Sequence, residues 1–138
     1  VGTAYQDILD YVGVKGELGK VVAGGAMMGP AVENLSYPTT KTTSGLILLS
    51  KAAAQPAQVN PCIRCGRCVE YCPMGLEPVE VNQAYAARDV QELGKLHVDY
   101  CFNCGSCTFV CPAKRPCTQM MGLAKAFYLG EIKKGGNK

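Results

Sequence analysis

Cysteine is the residue type whose number and spacing in this sequence point most directly to chemistry. Eight of the nine cysteines fall into two runs that share the pattern C-x-x-C-G-x-C-x-x-x-C-P. The first run begins at Cys62 and ends at Pro73, and the second begins at Cys101 and ends at Pro112. A thiolate is a strong nucleophile and a soft metal ligand. Two matched sets of four thiols therefore favour two metal centres.

The spacing within each run is typical of proteins that hold [4Fe–4S] clusters. Three cysteines at steps of three can surround one side of a four-iron cube, and the fourth is carried away by the backbone and can reach a neighbouring cube. We therefore assign the cysteines in a crossed arrangement, one cluster to Cys62, Cys65, Cys68 and Cys111, and the other to Cys101, Cys104, Cys107 and Cys72. Uncrossed ligation uses the same eight ligands and stays open. No catalytic residue is assigned.

Zinc binding and disulfide formation are the competing uses of these cysteines. Zinc sites typically pair two C-x-x-C units and need neither a third cysteine at the same step nor a following proline. Disulfides are typical of secreted chains, and nine cysteines cannot all pair within one chain. Iron–sulfur ligation is preferred, and a zinc-stabilised interaction module remains the alternative of a different class. The ninth cysteine, Cys117, is expected to be a small buried side chain or a free thiol.

The residues between the cysteines differ between the two runs. Gly66 and Gly105 occupy equivalent places, where a side chain would crowd a cluster and where a positive φ is accessible to glycine. Arg64 and Arg67 flank the first run, whereas polar uncharged residues such as Asn103 flank the second. Positive charge and hydrogen bonds to sulfur raise a cluster's reduction potential. We therefore predict that the first cluster has the higher potential.

Helices and strands must position these runs. Apolar residues at helical spacing predict helices over 3–13, 79–93 and 118–133. Short apolar runs predict strands over 20–23 and 46–50, and the glycines at 24–29 predict a tight turn rather than a nucleotide site. Prolines within 51–61 indicate a linker. The sequence thus favours an α+β fold with a domain boundary in the linker.

Composition limits the classes of protein further. Of 138 residues, 48% are hydrophobic and 18% are charged, which is typical of a globular chain. The net charge of +3 is weak and dispersed, so we expect no nucleic-acid partner. Two bound clusters at roughly −2 each would change the net charge to about −1. No apolar run approaches the ~20 residues that span a bilayer. Because the chain starts at Val1, we expect a piece of a longer protein.

The residues around the cysteines also resemble a known family. The segments PCIRCGRCVEYCPMGL at 61–76 and VCPAKRP at 110–116 are similar to the C subunit of the Rnf electron-transport complex. The segments at 1–9, 24–29 and 38–49 are similar to the part that precedes the clusters in that family. Many redox proteins share paired cysteine runs, and their combination with Gly-Gly-x-Met-Met-Gly is much more specific. Ala26, where the family more often has proline, and Cys117, where an aliphatic residue is usual, depart from the pattern.

The resemblance implies a domain organisation. Residues 1–50 would form a soluble ligand-binding β-grasp segment with its return strand, truncated at the N-terminus. Residues 51–61 would be the linker, and residues 62–138 would form the two-cluster ferredoxin-like domain. The implied class is α+β, with a small, partial β-grasp-like segment followed by a largely helical two-[4Fe–4S] domain.

The resemblance also implies a function. The two clusters would relay electrons between NAD(H) or flavin and the ferredoxin-like B subunit, within a bacterial complex that translocates ions. FMN and NAD(H) would bind an upstream domain that this sequence lacks, so the chain would be the electron-transfer fragment of a ferredoxin:NAD⁺ oxidoreductase. It would lie at the cytoplasmic side of the membrane, attached through partners. A flavin and iron–sulfur cobalamin reductase of the bacterial-microcompartment type looks similar across the same domains and stays as the alternative.

Overall fold

The chain divides into two compact units, Val1–Ala57 and Gln58–Lys138. The coordinates are a computed structural model that describes residues 1–135, so the last three residues of the expected cluster domain lie outside the described residues. The division falls inside the segment where we expected the linker.

The first unit contains one helix and a small sheet. Helix α1 spans Tyr5–Val12, as the sequence predicted, and it buries Tyr5 and Leu9. Gly13 ends the helix at φ 68° and donates its N–H to the Leu9 carbonyl at 3.1 Å. Glycine adopts this left-handed conformation without steric cost, which is why it commonly ends helices.

The sheet has two antiparallel strands, β1 at Leu18–Ala23 and β2 at Leu46–Ser50. The pairing register shifts beside Gly19, where an added Cβ would lie 2.6 Å from the Cα of Lys51. Only glycine permits so close an approach of two backbones. The strand predicted at 46–50 is confirmed, and β1 begins two residues before the predicted strand.

The second unit is helical. Its helices are α2 (Arg67–Glu70), α3 (Pro78–Ala86), α4 (Val90–Lys95), α5 (Ser106–Phe109) and α6 (Cys117–Gly135), with a 3-10 turn at Val98–Tyr100. Helices as short as α2 to α5 are unstable in isolation, so tertiary packing must hold them. For α3 and α4 that packing is an apolar core shared with α6, made of Leu76, Val81, Ala84, Leu93, Val98, Met121 and Ala124. Helices α2 and α5 instead pack through Cys68 and Cys107 against Cys117. Each large side chain buried there contributes about 1.5–3 kcal/mol.

The single helix that we expected between the two cysteine runs is instead two helices, α3 and α4. Arg88 interrupts them with φ 58°, and its guanidinium lies 5.1 Å and 4.9 Å from the ring centres of Tyr85 and Phe127. The Asp89 carboxylate accepts a hydrogen bond from the Glu92 N–H at 2.9 Å and so caps α4. The start of a helix leaves backbone N–H groups without partners inside the helix, and the Asp89 cap satisfies one of them.

The described part of the chain is thus a mixture of helices with one two-stranded sheet, and the expected α+β class is confirmed. Within residues 1–135, none of the helices combines the length and the apolar character that crossing a membrane requires.

Candidate iron–sulfur centres

Two loops and two short helices present the eight cysteines. In each run the first two cysteines lie in a loop, and the third lies in the four-residue helix that follows, α2 or α5. The third cysteines, Cys68 and Cys107, are buried. The first loop is the more open, since Cys62 and Cys65 are exposed.

The two loops have the same backbone conformation at equivalent positions. Positive φ values occur at three matched pairs, Arg64 and Asn103, Gly66 and Gly105, and Gly75 and Lys114. Both loop glycines use the positive φ that glycine permits, with values of 75° and 89°. A non-glycine residue pays roughly 1–2 kcal/mol for this conformation. Both loops therefore hold a shape that the free chain would disfavour.

The first of two cavities brings cysteines of both runs together. It has a volume of about 900 Å³, including space open to solvent, and its lining contains Cys62, Cys65, Cys68 and Cys111. Helices α3 and α6 contribute further walls, and the three arginines that line it are Arg64, Arg67 and Arg115. Three cysteines of the first run thus share a cavity with the last cysteine of the second.

The second cavity contains the complementary set. It is narrower, at about 290 Å³, and its lining contains Cys72, Cys101, Cys104 and Cys107. Pro78, Thr118 and Met121 complete its helical walls. Its lining among the described residues includes no charged side chain. The two cavities therefore differ in charge and in openness, although the loops that form them match.

Burial shifts the acidity of the inner thiols. Desolvation raises the pKa of the Cys68 and Cys107 thiols above the ordinary value. It raises the pKa of Cys117, which lines the first cavity, to about 12. Low-dielectric surroundings thus disfavour the thiolate at these positions. A positively charged metal core would reverse that preference at Cys68 and Cys107, so the chemistry of these two thiols fits a role as iron ligands.

Hydrogen bonds to sulfur surround the second cavity. Three contacts of 3.4 Å join Leu76 N–H to Cys72 Sγ, Cys104 Sγ to Ser106 Oγ, and Cys107 Sγ to Thr118 Oγ1. Thr118 is itself fixed, because its N–H donates to Thr108 Oγ1 at 2.8 Å. When the sulfurs are metal-bound thiolates, the two hydroxyls can act only as donors to them.

The helical residues that line the cavities were not predicted. Cysteine spacing is local, and it does not tell which face of α3 or α6 meets a cluster. The sequence held a usable signal, however. Helix α3 begins at Pro78 and α6 at Cys117, so the two helix starts are 39 positions apart. Cys62 and Cys101 are separated by the same number of positions. The internal repeat therefore extends from the cysteine runs into the helices. The expectation that Cys117 is buried is confirmed.

Comparison with known proteins defines the class. A family model described as a 4Fe-4S dicluster domain matches residues 61–114, which contain all eight predicted ligands. The matched segment is thus a two-cluster ferredoxin-like domain, in agreement with the cysteine pattern.

Curated relatives define the family. The C subunit of the ion-translocating oxidoreductase complex of Rhodobacter capsulatus is 38% identical over 126 residues, which is 91% of this chain and 24% of that protein. The C subunit of the proton-translocating ferredoxin:NAD(+) oxidoreductase complex of Clostridium ljungdahlii is 43% identical over 79 residues, 56% of this chain and 17% of that protein. The Na(+)-translocating counterpart of Acetobacterium woodii is 37% identical over 91 residues, 65% of this chain and 20% of that protein.

These similarities confirm the resemblance seen in the sequence. Over the segment that it spans, the chain belongs to the C-subunit family of the ion-translocating, Rnf-type oxidoreductases. It spans about a quarter, 24%, of the length of the R. capsulatus protein.

Proposed function

We propose that this chain holds two [4Fe–4S] clusters with crossed ligation and relays electrons through them. The observation that carries the proposal is the pair of cavities, each lined by three cysteines of one run and the last cysteine of the other. Cys62, Cys65, Cys68 and Cys111 would hold the first cluster. Cys101, Cys104, Cys107 and Cys72 would hold the second.

The chain's own residues explain how such a relay works. When bound, each cluster supplies a one-electron redox centre. The loops fix the thiols through their left-handed turns, and Gly75 and Lys114 close a turn behind each last cysteine by donating N–H bonds to the Cys72 and Cys111 carbonyls at 3.0 Å and 3.1 Å. Because the loops already hold the thiols in position, the backbone needs to rearrange less when metal binds.

The contact between the two sets supports transfer from one centre to the other. Cys68 of the first set and Cys107 of the second belong to one buried cluster of side chains, together with Cys117. The two proposed centres would therefore share a buried contact through Cys68 and Cys107, and such a contact is compatible with electron transfer between them.

The family relationship supports the wider role. We propose that the chain is the relay part of a peripheral subunit, passing electrons between NAD(H) or FMN, bound by a domain outside this sequence, and the ferredoxin-like B subunit. The C. ljungdahlii and A. woodii relatives belong to ferredoxin:NAD(+) oxidoreductase complexes that translocate protons and Na(+), respectively. Residues 1–50 would be a partial β-grasp segment, and the protein would lie on the cytoplasmic side of the membrane.

Metal analysis under anaerobic conditions tests the proposal. We expect a brown protein with about eight irons and eight acid-labile sulfides per chain, and a broad visible absorption that bleaches on reduction. A colourless chain that contains zinc and no labile sulfide would contradict it. The same measurement excludes the zinc-stabilised module if iron is found.

A further inference from the structure

Asn82 is an amide whose oxygen is buried and left without a partner. It lies in α3 and lines the cavity that contains Cys62, Cys65, Cys68 and Cys111. Its Oδ1 is shielded from water and has no hydrogen-bond partner among residues 1–135. An unsatisfied buried polar group costs about 1–3 kcal/mol. The packing of α3 alone gives no reason to keep an amide at this place.

The chemistry of the cavity supplies a reason. An amide carries two N–H donors beside its carbonyl acceptor, and the Asn82 side chain lies in the lining of this cavity. The sulfurs of an iron–sulfur cluster are acceptors. We propose that the Asn82 side-chain NH₂ donates a hydrogen bond to a sulfur of the first cluster and raises that cluster's reduction potential. The inference rests on the proposed function, since it requires the cluster.

The position equivalent to Asn82 in the second cavity carries no amide. Met121 lies 39 positions after Asn82 and lines the second cavity, but its thioether has no donor. There the helical donor is Thr118, whose hydroxyl lies 3.4 Å from Cys107 Sγ. The position equivalent to Thr118 is Val79, which lines the first cavity. Asn82 of the first cavity is thus matched by the apolar Met121 in the second. Thr118 of the second cavity is matched by the apolar Val79 in the first.

The direction of the effect follows from charge. Reduction adds an electron that is shared over the cluster and its sulfurs, so a hydrogen bond to sulfur is stronger in the reduced state. A donor therefore stabilises the reduced form more than the oxidised form, which raises the potential. An apolar side chain of similar size removes this difference.

Potentiometric titration of Asn82→Leu, followed by EPR, tests the inference. At a fixed potential, the ratio of oxidised to reduced first cluster should rise about tenfold, which is a fall of 59 mV for a one-electron couple. The first cluster is identified as the one whose signal Cys65→Ser removes. The second cluster should keep its potential. Leu123→Met, an apolar exchange at an exposed position of α6 outside both cavity linings, should leave both potentials unchanged.

Asn82→Asp provides a second test if the leucine variant binds less iron. It keeps the shape of the side chain but replaces the donor by an anionic acceptor, so the first potential should fall further than in Asn82→Leu. Unchanged first potentials in variants that retain eight irons, or equal shifts of both clusters, would overturn the role of Asn82 alone. A wild-type chain without iron would overturn the proposed function and this inference together.

Discussion

At the scale of the residue, Cys72 is the most informative of the predicted ligands. It lies four positions after Cys68, yet the two thiols line different cavities. The short helix α2 ends at Glu70, and the turn that follows directs the chain away from the first loop. Cys72 Sγ instead accepts a hydrogen bond from Leu76 N–H, at the edge of the apolar core.

Single cysteine variants distinguish crossed from uncrossed ligation. Cys65→Ser and Cys104→Ser should each reduce the iron content from about eight to about four, because a lost ligand releases one cluster. With crossed ligation, Cys72→Ser should remove the same EPR signal as Cys104→Ser. Uncrossed ligation predicts instead that it removes the signal that Cys65→Ser removes.

The ninth cysteine is the control for this series. Cys117→Ala should keep about eight irons, since Cys117 is assigned to neither cluster. Retention of eight irons in Cys65→Ser or Cys104→Ser would refute the ligand assignment.

At the scale of the element, the two loops depend on left-handed turns. Gly105 is buried with φ 89°, and an alanine there pays roughly 1–2 kcal/mol for the conformation. We expect Gly105→Ala to lose the absorbance of the second cluster several-fold faster than the wild type in guanidinium.

A helical glycine offers the matched comparison. Gly130 lies in α6, and an added Cβ there would meet nothing within 4 Å. Alanine is favoured over glycine within a helix by up to about 1 kcal/mol, so Gly130→Ala should lose its clusters no faster than the wild type. Equal behaviour of the two variants would contradict the role of the left-handed turn.

Elements could be predicted from the sequence where local chemistry determines them. The cysteine spacing predicts the ligands, and the period of Tyr5, Leu9 and their neighbours predicted α1, which the structure contains. The break at Arg88 was missed because the apolar spacing on both sides of it continues the helical pattern, and because the stacking of Arg88 on Tyr85 and Phe127 involves a helix far along the chain. Asp89 and Glu92 held the capping signal that would have revealed it.

In the whole molecule, the proposed ligands and the core that supports them lie in one unit. All eight cysteines and the apolar core of α3, α4 and α6 fall within Gln58–Lys138. The start of this unit is tied to the second run by the Asn60 N–H, which donates to the Ala113 carbonyl at 2.9 Å. The cavity walls that involve Asn82 and Thr118 arise only when this unit folds. The 39-residue repeat indicates that α3 and α6 are equivalent, but it does not tell which of their side chains line the cavities.

This division predicts that the second unit binds its metal alone. A fragment of residues 58–138, reconstituted anaerobically, should take up about eight irons per chain. The fragment of residues 1–57, which contains no cysteine, should take up none and serves as the control. A fragment 58–138 that binds fewer than four irons would show that the first unit is needed for assembly.

The most direct test of the central claim is an anaerobic redox titration of the intact chain, followed by EPR. Two adjacent clusters should give two one-electron steps, about two spins at full reduction, and a magnetic interaction between the spins. The higher step should belong to the cluster that Cys65→Ser removes, because Arg64, Arg67 and Arg115 line that cavity and its loop is exposed. Two coincident steps would contradict the order of potentials. A chain that shows no iron–sulfur signal after full reduction would contradict the relay itself.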